Sequence, residues 1–196
     1  VKGQVRDDDG GESSEYSASV TVNNVAPSAT FIAPESVDEG SPISLSLTLP
    51  SDPSSADTAA GFDYRFSCDN GITWTDWSAT ASDTCATSDN GTRNVKGQVR
   101  DDDGGESVEY SATVMVNNAA PSATFTAPTS VNEGSNIGIS LSAVADPGPA
   151  DTHEYRFSCD NGTTWTDWSS TAGHACATSD NGTRNVKGQV RDDDGG

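Results

Sequence analysis

Residues Cys85–Gly105 read CATSDNGTRNVKGQVRDDDGG, and the same run returns without a change at Cys176–Gly196. The second half of the run, VKGQVRDDDGG, also begins the chain at Val1. Val1, Val95 and Val186 therefore mark one phase of a repeat, with periods of 94 and then 91 residues. This is too long for a solenoid unit of about 20–50 residues, and it matches one β-sandwich domain of about 100 residues. The sequence predicts separate domains joined end to end.

The chain enters this array in the middle of a repeat. Residues 1–26 supply the closing strands of a preceding repeat, residues 27–120 a complete β-sandwich repeat, and residues 121–196 a repeat that lacks its closing strand. Either the array is one continuous chain, or a head-to-tail copy donates the missing strand. Both interpretations predict neighbouring identical modules as partners.

Hydrophobic alternation predicts an all-β fold with about seven strands in each repeat. Ile43, Leu45, Leu47 and Leu49 alternate with polar residues, which is typical of a half-buried strand. Asn70-Gly71 tolerates positive φ and predicts a hairpin turn. No segment has a helical period. The predicted strands cover residues 28–34, 43–49, 62–68, 73–78 and 93–100, with closing strands at 16–22 and 110–116. These elements predict tandem Greek-key β-sandwich modules.

The charge restricts the classes of partner. Thirty acidic residues against ten basic ones give a net charge of -20 at pH 7. Nucleic acid and anionic membranes both require a basic footprint, so neither is expected as a partner of this segment, whereas cations are favoured. A chain this acidic is a candidate for disorder, but four Trp, four Tyr and five Phe residues in regular alternation indicate a folded one.

Four cysteines occupy equivalent places in the two repeats. Cys68 and Cys85 are 17 residues apart, as are Cys159 and Cys176, and zinc-type spacing is absent. One disulfide within each module is the economical interpretation, with buried free thiols as the alternative. The strand alternation also predicts that Cys68 points into the core. Disulfides indicate an oxidising compartment, extracellular or at the cell surface.

Four stretches of the complete repeat carry a resemblance to a known family. They are Val37–Gly40 (VDEG), Tyr64–Phe66 (YRF), Val99–Ser107 (VRDDDGGES) and Tyr110–Pro121 (YSATVMVNNAAP). They resemble the PKD-type and related immunoglobulin-like repeats of bacterial surface proteins. The PKD family usually shows a WDFGDG-like core where this chain has YRFSCDNG. The resemblance implies an immunoglobulin-like or PKD-like sandwich, used as spacer, adhesion domain or enzyme accessory.

Acidic and amide side chains recur near the module boundaries. Carboxylate and amide oxygens are the ligands that Ca²⁺ prefers, and three adjacent aspartates in a Gly-ended turn repel one another without a counter-ion. The Asn-Asn-x-Ala-Pro stretch between repeats is also similar to the calcium-binding linker of cadherins. The alternative is a solvated turn with Asx hydrogen bonds. We predict a calcium site at the cluster of Asp101, Asp102 and Asp103, with Asp52, Asp57, Glu39 and an inter-module asparagine as co-ligands. The inter-module asparagines are Asn23, Asn24, Asn117 and Asn118, and the equivalent acids of the next repeat are Asp146, Asp151 and Glu133.

Ser67–Trp74 (SCDNGITW) matches the Asp-box hairpin of sialidases, a structural turn, and its spacing of one per repeat does not fit a propeller. Trp74 and Trp77 are three residues apart on a predicted strand, so one is expected in the core and the other at the surface. An exposed tryptophan favours glycan binding, and the alternative function is therefore a carbohydrate-binding accessory module of a secreted hydrolase.

The chain shows no nucleophile–base pair. His153 and His174 are its two histidines, and the preceding repeat has no histidine at either place. We therefore expect a non-enzymatic structural module of an extracellular fibre or cell-surface adhesin, rigidified by calcium at acidic loops and junctions. Glycans and surface proteins are the expected further partners.

Overall fold

The computed structural model describes residues 1–196. Residues 1–26, here called the N-terminal hairpin, contain two short antiparallel strands, β1 (Lys2–Gly3) and β2 (Tyr16–Ser17). The pairs Lys2↔Ser17 and Gly3↔Tyr16 hold them together. The apolar residues of the hairpin have no core to enter and remain exposed.

The first module covers residues 27–120 and contains seven strands and one helix. These are β3 (Ser28–Ile32), β4 (Ser36–Asp38), β5 (Ile43–Ser51), α1 (Ser55–Ala60), β6 (Asp63–Ser67), β7 (Ser82–Cys85), β8 (Gly91–Arg100) and β9 (Tyr110–Asn117). One sheet has the order β3-β5-β7 and the other β4-β9-β8-β6. All pairs are antiparallel except β4 with β9, which is parallel.

The core of the first module lies between these two sheets. Alternate residues of each strand meet there, because successive side chains of a strand point to opposite faces. The fully buried members include Ile43, Leu45, Leu47, Val95, Val99, Val114 and Val116. Two packed sheets of three and four strands with this connectivity form an immunoglobulin-like β-sandwich, as the sequence predicted.

Both predicted disulfides are present. Cys68 is joined to Cys85 and Cys159 to Cys176, each with a Cα–Cα distance of 5.6 Å, and no cysteine is free. The first bridge links the end of β6 to the end of β7, which belong to different sheets. Cys85 is buried in the core, whereas Cys68 is exposed. The prediction that Cys68 points inward is therefore wrong, because β6 ends one residue before it.

Three further local predictions are wrong. Leu49 is exposed because a β-bulge, with a φ of 52° at Leu49, shifts the register between β3 and β5. Residues 73–78 form no regular strand. Tyr64 pairs with Ser78 and Phe66 with Thr75, so one residue of β6 lies opposite two residues of this segment, and the ladder is irregular. The helix α1, capped by Ser54, was not predicted. Its six residues are far fewer than the roughly 20 that a membrane-spanning helix needs.

The second module covers residues 121–196 and has five strands. They are β10 (Ser122–Thr126), β11 (Ile137–Ala145), β12 (His153–Ser158), β13 (Gly173–Cys176) and β14 (Lys187–Asp192). They form a sheet of order β10-β11-β13 and a pair β12-β14. Only Ile139, Leu141, Phe157 and Cys176 form its buried core. The core is smaller because no strand occupies the position that β9 has in the first module.

Candidate metal centre at the module junction

Glu39 crosses the boundary between the two modules. It follows β4 in a turn closed by the Ser41 N–H, which donates to the Asp38 carbonyl over 3.1 Å. The Glu39 N–H donates to the Asn117 carbonyl at 3.0 Å, so the turn is fixed at the end of the β4–β9 pair. Its side chain is 1% exposed, and Oε1 accepts a 2.7 Å hydrogen bond from the Ala119 N–H of the linker.

Two aspartates of the second module meet this glutamate. Asp146 and Asp151 lie at the ends of an Asp-Pro-Gly-Pro-Ala-Asp loop between β11 and β12. Their ligand oxygens and one of Glu39 all lie within 4.8 Å of one another. Asp146 accepts from the Gly148 N–H at 2.9 Å and contacts His153 Nε2 at 2.9 Å. Three carboxylates from two modules thus lie close together, one of them buried and two half-buried.

Asn118 and Asp192 pair beside the same linker, and together with the three carboxylates we call them the junction site. Asn118 Nδ2 donates to Asp192 Oδ1 at 3.1 Å, and the Gly196 N–H donates to the same oxygen at 2.8 Å. Asn118 precedes Ala119, whose N–H binds Glu39, so the linker joins the two halves of the site. The five residues of the junction site are Glu39, Asn118, Asp146, Asp151 and Asp192.

Four oxygens of the junction site are buried without a hydrogen-bond partner: Glu39 Oε2, Asn118 Oδ1, Asp151 Oδ2 and Asp192 Oδ2. A buried polar atom without a partner is unfavourable, more so when it carries charge. Ca²⁺ takes about six to eight oxygen ligands, and carboxylates, amides and carbonyls are its usual donors. The residues therefore fit a Ca²⁺ ion in charge and ligand type.

Two aspartates of the junction site have shifted pKa values. Burial raises the pKa of Asp151 to about 6, with further contributions from the charges of Glu39, Asp146, Asp193 and Asp89. Burial and neighbouring like charges both disfavour the ionised form of a carboxylate. Asp192 behaves differently: its burial is outweighed by hydrogen bonds from the backbone N–H of Gly196 and from Asn118, and its pKa is lowered. That carboxylate stays ionised.

A second cluster, here called the entry cluster, repeats this arrangement at the other end of the first module. Asp52, Asp57 and Asp101 have ligand oxygens within 4.8 Å of one another. Asn24 donates to the two oxygens of Asp101 at 3.2 and 3.0 Å. Asp52 Oδ2 is buried without a partner. Burial raises the pKa of Asp57, as do the charges of Asp52, Asp102 and Asp103. No glutamate accompanies the entry cluster.

The structure divides the predicted ligands differently from the sequence analysis. Glu39 was expected beside Asp101, but it lies at the opposite end of the first module, against Asp146 and Asp151. Only Asp101 of the aspartate triplet is buried, and its Oδ1 accepts the Gly105 N–H at 2.7 Å. The remaining predicted ligands are exposed and outside both clusters: Asp102, Asp103, Asn23, Asn117 and Glu133.

Sequence reasoning missed two acidic residues beside Asp151. Asp89 of the first module and Asp194 of the second have ligand oxygens within 4.8 Å of those of Asp151. The Ala150 N–H also donates across the boundary to the Ser88 carbonyl at 3.3 Å. Asp89 lies in the loop before β8, which has no acidic pattern in sequence. The recurring DDDGG run was the available signal for Asp192 and Asp194.

The Asp-box residues form a structural turn. Asp69 accepts from the Thr73 N–H at 2.8 Å and from the hydroxyl of Ser67 at 2.8 Å. The hydrogen bonds with the hydroxyl and N–H of Thr73, and with Ser67, lower the pKa of Asp69 to about 2. Asn70 and Gly71 have φ values of 63° and 88°, as the Asn-Gly turn predicted.

The tryptophans do not form the expected exposed platform. Trp74 and Trp77 are both half-buried, and the Arg65 guanidinium lies 4.8 and 4.4 Å from their ring centroids. Arg100 also lies over Trp77 at 4.7 Å. The expectation that one ring faces the core and the other solvent is therefore wrong: both pack on one cation at the sheet surface.

No protein-family model matches the chain, and no curated protein matches it. Solved structures are similar to it at low sequence identity, among them the following three. The PKD domain of an M14-like peptidase from Thermoplasmatales archaeon SCGC AB-540-F20 shares 16% identity over 48% of this chain and 98% of that one, with a TM-score of 0.39. A carbohydrate-binding module of the β-sandwich superfamily shares 14% sequence identity over 87% of this chain and 93% of that one, with a TM-score of 0.39. The FN1–FN3 domains of chicken CNTN1 share 13% sequence identity over 99% of this chain and 72% of that one, with a TM-score of 0.32.

Proposed function

We propose that this chain is a structural segment of an extracellular stalk or fibre, in which Ca²⁺ locks successive β-sandwich modules end to end. The observation that carries the proposal is the burial of Glu39 of one module against Asp146 and Asp151 of the next. A bound Ca²⁺ would turn their mutual repulsion into attraction. The residues to hold it are the five of the junction site.

The mechanism is mechanical. Without metal, the carboxylates of Glu39, Asp146 and Asp151 repel one another across the boundary, and this repulsion favours separation of the two modules. With metal, the two modules and Asn118 of the linker are fixed to one centre, which removes the rotational freedom of the short linker. The two disulfides support an oxidising compartment. Extracellular modules bind Ca²⁺ with dissociation constants of about 10⁻⁴–10⁻³ M.

A melting experiment tests this function. At millimolar Ca²⁺ and a dissociation constant of about 10⁻⁴ M, one site adds about 1.4 kcal/mol to the free energy of unfolding. The midpoint is therefore expected to rise when EDTA is replaced by Ca²⁺, and small-angle scattering is expected to show a narrower range of molecular lengths. No shift, or an equal shift with NaCl of the same ionic strength, contradicts the proposal.

A further inference from the structure

A histidine lies beside the disulfide of the second module. Cys159 directly follows β12, whereas His174 and Cys176 belong to β13. The two sulfurs and one ring nitrogen of His174 all lie within 4.8 Å of one another. His174 and Cys176 are two residues apart on one strand, so their side chains point to the same face. Sequence spacing does not mark these residues as a zinc motif, because they come from two different sheets.

The imidazole ring of His174 is held beside the sulfurs from the core side. It stacks on Phe157, with ring centroids 6.1 Å apart and an angle of 11° between the planes. Phe157 is itself 3% exposed and belongs to β12, which Cys159 follows. The outer side of the imidazole is open, because His174 is exposed and β13 is the edge strand of its sheet. An ion can therefore reach the ring nitrogen from solvent.

The first module contains the same disulfide without the histidine. Asp83 stands at the position of His174, two residues before Cys85. Its carboxylate forms no comparable cluster with Cys68 and Cys85. The Cα–Cα distance is 5.6 Å in both disulfides. The two modules therefore provide a comparison within one chain, in which the side chain beside the sulfurs differs.

The sulfurs become metal ligands when the disulfide is open, because the thiolate is the form that binds a metal ion. Cysteines are thiols when a chain is synthesised, and a phosphine reductant restores that state. Two electrons then pass from phosphorus to the S–S bond, which breaks. Water supplies the oxygen of the phosphine oxide and the two protons of the thiols. Each thiol releases its proton again when it binds a metal ion.

The ligands of the open state are those that Zn²⁺ prefers. Zinc binds cysteine sulfur at about 2.3 Å and histidine nitrogen at about 2.0–2.1 Å in tetrahedral geometry. Two sulfurs on one ion are then about 3.8 Å apart, and each lies about 3.6 Å from the nitrogen. The three ligand atoms already lie within 4.8 Å, so small side-chain rotations give these separations. Water takes the fourth position, as it does in other sites of two cysteines and one histidine.

We propose that the reduced second module binds one Zn²⁺ ion through Cys159, His174 and Cys176, and that the reduced first module binds it far more weakly. The ion then replaces the disulfide as the link between the end of β12 and β13. The second module thus exchanges a covalent link for a metal link according to its redox state. This site is separate from the proposed calcium function, which uses oxygen ligands at the junction between modules.

Cysteine alkylation of the reduced full chain tests the two modules in one sample. Trypsin releases the first cysteine pair in residues 66–93 and the second in residues 157–184, and the two peptides differ in mass. In anaerobic phosphine, Zn²⁺ should slow the reaction of the second pair with iodoacetamide by roughly tenfold or more, because the reagent attacks the free thiolate. The first pair should slow by roughly twofold or less. Equal protection of both pairs, or protection of neither, overturns the proposal.

Two neighbouring substitutions separate the ligand from the strand that carries it. His174→Asp and Ala175→Thr each introduce the residue that the first module has at that position. His174→Asp should remove the protection by Zn²⁺, whereas Ala175→Thr should keep it, because residue 175 faces the opposite side of β13. Since metal binding and folding are coupled, this comparison holds even where reduction loosens the module.

Co²⁺ provides a spectroscopic measure of the same site. A thiolate-to-cobalt charge-transfer band should appear in the reduced wild type and in Ala175→Thr, and should be lost in His174→Asp. Co²⁺ on the acidic clusters gives no such band, because their ligands are oxygens. A band of equal strength in His174→Asp, or a band in the oxidised chain, overturns the proposal.

Discussion

Glu39 and Asp151 belong to different modules, yet their carboxylate oxygens lie within 4.8 Å of each other. Glu39 Oε2 and Asp151 Oδ2 are both buried without a hydrogen-bond partner. Two like charges at this distance repel by roughly 3 kcal/mol at an effective dielectric constant of about 20. The pair therefore opposes the contact between modules unless a cation or a proton is shared, and this makes the junction responsive to both.

Glu39→Gln should abolish most of the Ca²⁺-dependent rise in the melting midpoint. The amide keeps the shape of the side chain but removes one charged ligand, and the charge of the ligand set governs affinity for Ca²⁺. In EDTA the same variant should be more stable than the wild type, because one of the repelling charges is gone. Calorimetry in EDTA and in Ca²⁺ at about 1 mM, the weak end of the affinity range of extracellular modules, measures both effects.

Glu133→Gln is the matched control for this substitution. Glu133 occupies the equivalent turn of the second module but is exposed and outside the junction site. In dilute, monomeric protein it should leave the response to Ca²⁺ unchanged. An equal loss in both variants would assign the Ca²⁺ effect to general screening of the net charge of -20.

Acidification should stabilise the second module in EDTA. Burial and the charges of Glu39, Asp146, Asp193 and Asp89 raise the pKa of Asp151 to about 6, against an ordinary value of 3.8. Because the folded state then binds the proton more tightly than the unfolded state, this group destabilises the fold above pH 6. The effect is relieved progressively between pH 6 and about pH 4. Melting at several pH values, with wild type and Asp151→Asn compared, isolates this contribution.

The control for the pH experiment is Asp167→Asn, which removes an exposed aspartate of the same module. It should follow the pH dependence of the wild type, whereas Asp151→Asn should show less stabilisation on acidification. With Ca²⁺ present, acidification should instead destabilise the wild type, since protons compete with the metal for the same oxygens. A difference between wild type and Asp151→Asn that is independent of pH would contradict the shifted pKa.

The strands were predictable where a local period determines them. Ile43, Leu45 and Leu47 alternate and are buried, because alternation with period two is a property of neighbouring residues alone. Leu49 breaks the pattern because the bulge depends on the register with β3, which lies elsewhere in the sequence. The helix α1 is too short for a periodic signal. Parallel pairing of β4 with β9 also joins residues distant in sequence.

The grouping of the acidic side chains was predictable only in part. Asp52, Asp57 and Asp101 were expected together and are together. Glu39 was placed with them because all four are in the same repeat. Yet a sandwich has two ends, and the turn after β4 lies at the end opposite to these aspartates. Sequence spacing alone does not determine the end at which a loop emerges.

Gly40→Ala should weaken the contact between modules. Gly40 has a φ of 74°, and a Cβ at this position would collide with the Pro147 carbonyl of the second module. The variant should bind Ca²⁺ more weakly and melt in two separated transitions. Isothermal titration and calorimetry measure these outcomes.

Gly134→Ala provides the comparison for Gly40→Ala. Its φ of 79° gives nearly the same backbone strain, of about 1–2 kcal/mol, but a Cβ there meets no atom. It should lower the midpoint of the second module without altering Ca²⁺ binding. If the two alanine variants bind Ca²⁺ equally, the contact of Gly40 with Pro147 does not support the junction site.

Removal of either disulfide should destabilise its own module by about 3 kcal/mol, the chain-entropy value for a loop of this length. The disulfides Cys68–Cys85 and Cys159–Cys176 both span 17 residues, so replacing either pair with alanines should cost the same loop entropy. The second module should unfold first, because it has four buried core residues against ten in the first. Urea denaturation measures both losses, and equal resistance of the two modules would contradict the role of core size.

Amide exchange should separate two identical sequences. Residues 91–95 and 182–186 both read GTRNV, but the first run lies in β8 and pairs with β9, whereas the second lies outside any strand. Peptic peptides from the two runs have the same mass, so their deuterium uptake is recorded together. Hydrogen-bonded sheet amides exchange slowly and open ones quickly. Dilute chain should therefore give a bimodal isotope envelope with two equal populations, which merge into one fast population in denaturant. A single slow envelope would mean that residues 182–186 also have a strand partner in the dilute chain.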